Sequence, residues 1–448
     1  MNTMFAQLDQ SVLTCVHERE NTFLAMSTMR TDVHGRLSMF TNAWLLPGTL
    51  YGELVTREPA AFLAAPVDQM MTSFDGNEHI PQAELLLADP NALSISELRK
   101  KYGLSDERYT LLLALAYQAV TEGTSLCLRT TASMRETPRL VREFVYLIDE
   151  GLPPMLRRQI SFSSGPDTRM TICVRSSDCG RSVNVPDALF TVEAPGRDDT
   201  EMPDERTEQL MTALVTATDA ERTRLLEKIE SFLQNMRCEG KTIPSALPAV
   251  GYYFSEGIAR SSSDYAWMLN TLLLAGKRLN TGEEYLNNLL IRLAEKLAEL
   301  GRCPTNLLEK LLDRSYTMDC RPLDEAVFHL IQLIRVDDCT DLASRQLGKP
   351  YLEKLSRVVS ALLDRVPCDR ETVGSELTTR LLKWALNHDI ESMVPYCVEL
   401  LRGASVQEQR VQLEELLYNA QKEDLSDSDS CLITGILSLL TPEASEAA

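Results

Sequence analysis

Histidine is scarce in this chain and scattered: His17, His34, His79, His329 and His388 are its five, and no two lie close in sequence. That excludes a His-Glu-x-x-His zinc helix, whose two ligands must stand one turn apart. Cys173 and Cys179, with no histidine beside them, fall short of the four nitrogen or sulfur ligands of a structural zinc site. Glycine signatures are missing too. There is no Gly-x-x-x-x-Gly-Lys-Ser/Thr loop to cradle phosphates, no Gly-x-Gly-x-x-Gly and no Gly-x-Ser-x-Gly elbow. These absences leave no catalytic residue, cofactor or metal to assign from the sequence.

Positive charge is also in deficit, with 45 Lys and Arg against 65 Asp and Glu, a formal net charge of −20. A polyanion is repelled at long range by such a surface, so neither nucleic acid nor an acidic membrane is expected as a partner. A protein with a basic face fits better. No apolar run reaches the roughly 18 residues of a spanning helix, which predicts no membrane insertion. The opening MNTMFAQLDQ has neither the basic cluster nor the apolar core of a secretory leader. The eleven cysteines are thinly spread and odd in number, as expected of reduced, mostly buried thiols in a cytoplasmic protein.

What is present is ample core material: 448 residues, 44% of them hydrophobic, enough for two or three domains. The chain changes character at residues 140–175. Val141, Phe144, Val145 and Ile148 mark one face of a helix, Gly151 ends it, and Pro153-Pro154 forbid its continuation. Arg157-Arg158 then precede an alternating stretch, Ile160-Ser161-Phe162. Further strands are predicted over 22–29 and 37–44, joined by a turn at 31–36, and over 125–129, 159–163 and 169–175, with another short apolar segment at 184–192. A short helix follows Pro47. Ser94 and Glu97 read as a capping box, and Ser105 as the cap of a second helix. That pair resembles a helix-turn-helix, yet the second helix is apolar nearly all round, as a core helix is and a base-reading helix is not.

Residues 196–208 hold six acids and little to bury and read as an acidic linker. Everything after it reads as helix: 208–237 with a break near 218, an interruption at 241–257, then 264–279, 283–300, 305–314, 323–335, 351–365, 371–387, 390–402, 405–420 and 428–440. No fixed repeat period emerges. The predicted architecture is an α+β region over 1–195, with a further division into 1–90 and 91–195 left open. A mainly α-helical array of irregular α-solenoid type is predicted over 209–448.

Two polar clusters are candidate sites. Asp32, His34 and Arg36 share the first turn, where His34 suits proton transfer and Arg36 an anion clamp; Glu53 and Asp68 join only if the fold brings them near. A solvated hairpin loop accounts for the same residues. Arg157 and Arg158 suit a phosphate or an acidic partner, or else one pairs with Asp149 or Glu150 while the other is solvated.

The stretch REFVYLIDEGLPPMLRRQISFSS resembles the helix, turn and strand found in the N-terminal and middle domains of bacterial GTPase-associated proteins. The matching positions are Leu152, Pro153, Leu156, Arg157, Ile160, Phe162 and Ser163. The earlier HGRLSMFTNAWLLPGTLYGEL is similar to that family's opening motif at Gly35, Arg36, Phe40 and Leu45. Asn42 stands where the family has histidine, and Ser164 where it has threonine. The resemblance covers roughly the first 190 residues. It implies a cytosolic member of a bacterial multi-gene system containing a GTPase, acting through protein contacts. The expected function is therefore a non-enzymatic adaptor or regulator whose protein partner is a GTPase, with contacts at His34, Arg36, Arg157 and Arg158. The alternative is an enzyme of unrecognised type with its site at the Asp32-His34-Arg36 turn.

Overall fold

In the computed structural model, the residues described are 11–31, 34–65, 86–130, 133, 135–165, 170–176, 190–193, 204–236, 243–279, 283–317, 320–335, 338, 339, 342, 346, 358 and 361. The first described residues form an antiparallel meander of three strands: β1 (Ser11–Glu18), β2 (Asn21–Thr31) and β3 (Leu37–Pro47). The expected turn at 31–36 is where β2 reverses into β3. Gly35 takes a φ of 71° there, a left-handed conformation that costs glycine nothing. β1 is a strand the sequence reading does not single out. Its alternation of buried Leu13 and Cys15 is short and ends in His17-Glu18.

Pro47 hands the chain to α1 (Gly48–Arg57), and Pro59 opens α2 (Pro59–Leu63). α3 (Ile95–Lys101) begins at Ser94, but the expected capping box is absent: the Ser94 hydroxyl bonds to that of Ser96 at 3.0 Å instead. Ser105 does cap α4 (Asp106–Glu122), accepting from the Arg108 amide at 3.3 Å. Eleven of the seventeen α4 residues are buried, as expected of a core helix. β4 (Ser125–Thr130) follows, then α5 (Thr137–Asp149), α6 (Pro154–Arg157), β5 (Phe162–Ser163), β6 (Ile172–Ser176) and β7 (Phe190–Glu193).

These strands make one seven-stranded mixed sheet in the order β3-β2-β1-β5-β6-β4-β7. β5 and β6 are parallel, as are β6 and β4; the other pairs are antiparallel. α5 packs on β1, β5 and β6, and α4 packs on β4 and β7. Tyr109 of α4 donates to the Leu147 carbonyl of α5 at 2.7 Å, and Tyr117 to that of Gly151 at 3.2 Å. Both rings are among the largest fully buried side chains, and each phenol reaches a carbonyl that helix termination has freed or exposed to the core.

A mainly helical region follows the sheet. α7 (Glu205–Thr216) and α8 (Asp219–Asn235) meet at a break where expected, with Thr218 and Glu221 forming a reciprocal capping box. α9 (Leu247–Glu256) occupies the expected interruption: Pro248 falls in its first turn, where no amide donor is needed. α10 (Ser262–Leu279), α11 (Glu283–Glu299), α12 (Thr305–Thr317) and α13 (Arg321–Ile331) match predicted helices. The helices predicted beyond 351 fall almost entirely outside the described residues.

The chain divides into two compact units, Met1–Ile258 with Leu274–Gly282, and Ala259–Leu273 with Glu283–Ala448. In the first, the sheet and its helices are joined by α7, which packs on α4, and by α8 and α9, which pack on each other. The second holds α11 and α12, both packed on α13. Among the described residues no helix is long and apolar enough to cross a membrane.

Candidate functional site

The two stretches that carry the family resemblance meet around one backbone atom, the carbonyl oxygen of Ile160. His17, at the end of β1, donates to it from Nε2 at 2.8 Å, and Tyr51 of α1 donates its hydroxyl at 3.2 Å. A carbonyl only accepts, so His17 carries its proton on Nε2. Its Nδ1 is then left to accept the hydroxyl of Thr22 at 3.0 Å. The two rings pack with centroids 4.8 Å apart, and Phe62 of α2 closes edge-on against Tyr51 at 5.7 Å. β5 is shorter than its predicted strand, beginning only at Phe162, and the Ile160 carbonyl serves side chains.

Local sequence explains the placement. On β1, Leu13, Cys15 and His17 share the face that α5 and α1 cover, because strand side chains alternate. Tyr51 and Gly52 lie on α1, and a Cβ on Gly52 would stand 3.1 Å from Arg158 Nε. Glycine here lets the Arg158 stem lie flat on the helix. Asp149 ends α5 and is 1% exposed, and neither carboxylate oxygen has a hydrogen-bond partner among the described residues. Arg157 is buried nearby; its Nε donates to the Leu152 carbonyl at 2.8 Å.

Electrostatics set what this cluster can do. Burial pushes the Asp149 carboxyl well above the ordinary carboxylate range, against the opposing charge of Arg157. The Cys15 thiol is pushed up to about 12 by burial and by Asp149, with a Tyr51 hydrogen bond working against both. Burial lowers His17 below the usual imidazole value, and its bond to Ile160 opposes this. A thiol held so far from ionisation is no nucleophile at neutral pH, and a neutral imidazole with both nitrogens engaged is no free base. Cys15 is moreover fully buried. The cluster pins β1, α1, α5 and α6 together; it is a structural lock.

The candidate residues named from sequence are not gathered at one place. His34 and Arg36 are exposed at the β2–β3 turn, while Arg157 and Arg158 lie at the other end of that hairpin, beside α1. Along β2 from Thr22 to Thr31 the separation is about 30 Å at a strand rise of about 3.3 Å per residue. Asp32 and Asp68 lie outside the described residues, and Glu53 is exposed on α1. Of the two arginines, Arg158 is exposed and Arg157 bonds to backbone, so the expected carboxylate pairing is replaced by a charge beside Asp149. Among the described residues no three His, Cys, Asp or Glu converge as a metal site; Cys173 is buried beside the Ser125 hydroxyl at 3.8 Å, and Cys179 is not described.

A shallow cavity of about 360 Å³ lies at the α3–α4 turn, lined by Ser96, Arg99, Lys100 and Ser105. The charge of Arg99 is already held by an ion pair with Asp106.

The outer face of the β2–β3 hairpin is an open surface. Register places Phe23 opposite Leu45, Ala25 opposite Ala43, Ser27 opposite Thr41 and Met29 opposite Met39. Phe23 is 36% exposed, Leu45 50% and Met39 57%, and Leu50 at the start of α1 adds 41%. The two hydroxyls on this face bond to each other at 2.8 Å, and none of the eight side chains carries a charge. The sequence signal was apolar residues on both faces of the alternating stretches 22–29 and 37–44, where a half-buried strand needs only one. No protein-family model, curated protein or solved structure matches the chain.

Proposed function

We propose that the protein is a non-enzymatic adaptor or regulator of a bacterial GTPase-containing multi-protein system, working in the cytoplasm through contact with a protein partner. The observation that carries this reading is the uncharged apolar face of the β2–β3 hairpin. Exposed Phe23, Met39, Leu45 and Leu50 supply the large side chains that make up the centre of a protein interface. The exposed His34–Arg36 turn stands at its rim. The chemical groups best suited to catalysis, Cys15, His17 and Asp149, are engaged or sealed inside the lock. The six described cysteines without disulfides suit a reducing compartment.

The partner that fits is the GTPase of the same system, offering an apolar patch rimmed by basic side chains to match the −20 charge. The test is capture of that GTPase from the native host with tagged wild-type, Leu45→Lys and His34→Ala chains. The expected result is recovery by wild type and His34→Ala, and a loss of at least tenfold with Leu45→Lys. Equal recovery by Leu45→Lys, or none by wild type, would overturn the reading. Loss of cellular function in His34→Ala with capture intact would turn attention to the enzymatic alternative at that turn.

A further inference from the structure

We propose that β3 pairs antiparallel with β3 of a second copy of this chain, about a two-fold axis at Asn42. β3 ends the sheet and, among the described residues, is hydrogen-bonded to a neighbour on the β2 side alone. The opposite edge strand, β7, has four residues; β3 has eleven. Natural edges of that length are protected by charged side chains, a bulge or an internal proline. β3 has none of these. Its register with β2 runs unbroken from Leu37 to Pro47, it holds no ionisable residue, and its one proline is the last position.

The occupant is a second copy because the strand complements itself. With the axis at Asn42, Met39 of each copy stands opposite Leu45 of the other, and Thr41 opposite Ala43. These four positions share the exposed face, so apolar meets apolar and small meets small. Two chains of net charge −20 repel each other generally, but this strand opposes no charges, and screening over about 8 Å at physiological salt confines the repulsion. An antiparallel pair obeys two-fold symmetry, the commonest closed arrangement. Two seven-stranded sheets then become one, with the apolar faces of both hairpins side by side.

The experiment uses the purified full chain without any partner, so its result is separate from that of the GTPase capture. Sedimentation equilibrium at 50 and 500 mM salt is expected to give twice the 50.2 kDa chain mass, with more dimer at high salt as repulsion is screened. A Thr41→Lys/Ala43→Lys double variant, which sets lysines opposite lysines, is expected to sediment as a monomer while keeping the melting temperature and circular dichroism of a folded chain. Asn42→Cys, meeting itself on the axis, is expected to form a disulfide-linked dimer above the unsubstituted background on mild oxidation. A monomer at both salts, a dimer indifferent to the two lysines, or no cross-link at position 42 would each overturn the proposal.

Discussion

Asp149 and His17 report on the lock with opposite dependences on pH. Asp149 has a folded pKa above its unfolded value of about 3.9, so its contribution to stability is full below that value and is lost as pH rises through the folded one. Asp149→Asn, which keeps the shape and removes the ionisation, is expected to raise stability at pH 8 by on the order of 1 kcal/mol and to leave it unchanged near pH 4. Chemical denaturation at the two pH values measures this, and an equal effect at both would contradict it. His17 has a folded pKa below about 6.5, so it stabilises above that value and the contribution is lost as pH falls through the folded one. His17→Gln should therefore flatten the fall in melting temperature between pH 7 and 5, whatever its effect at pH 7. The sequence could not place these two residues in one cluster, since one lies on β1 and the other ends α5. No local pattern links positions 17 and 149; Tyr51, whose ring packs on His17 and which feels the charge of Asp149, is what relates them.

At the level of helices, the acidic stretch before α7 shows how charge runs can mislead. Read as linker, residues 196–208 include Asp204, whose carboxylate accepts from the amides of Arg206 at 3.0 Å and Thr207 at 3.1 Å and so begins α7. Asp204→Ala is expected to cost about 1 kcal/mol, seen as a lower melting temperature with an unchanged far-ultraviolet spectrum. Elements with one dominant local signal were legible: the 218 break, the helix at 283–300 and the apolar face of α5 all stand where predicted. α9 was not, because its prolines read as breakers when Pro248 in fact opens the helix. β1 was missed for another reason. Eight residues ending in His-Glu carry too short an alternation, and the pairing that makes them a strand comes from β2 and β5. Of the candidate site, the hairpin turn and the motif arginines were legible as positions, but the burial of Arg157 and the openness of Phe23, Met39 and Leu45 depend on which strand faces lie against helices.

For the molecule as a whole, α+β followed by mainly helix is the architecture that the change in sequence period announced, because that change extends over many residues. The composition also carried the charge, but not its distribution: an eleven-residue strand without one ionisable side chain ends the sheet of a chain whose formal charge is −20. β1 adds a condition in time. Its β2 partner follows within a few residues, whereas Thr14 finds Ser163 on the other side. At about 5–20 residues per second, a ribosome needs roughly 6–23 s to pass from the end of β3 to β5. Throughout that interval the nascent meander has an open strand on both flanks and no α5 beneath it. A chaperone waiting at the tunnel exit would meet that open meander before β5 arrives to pair with β1.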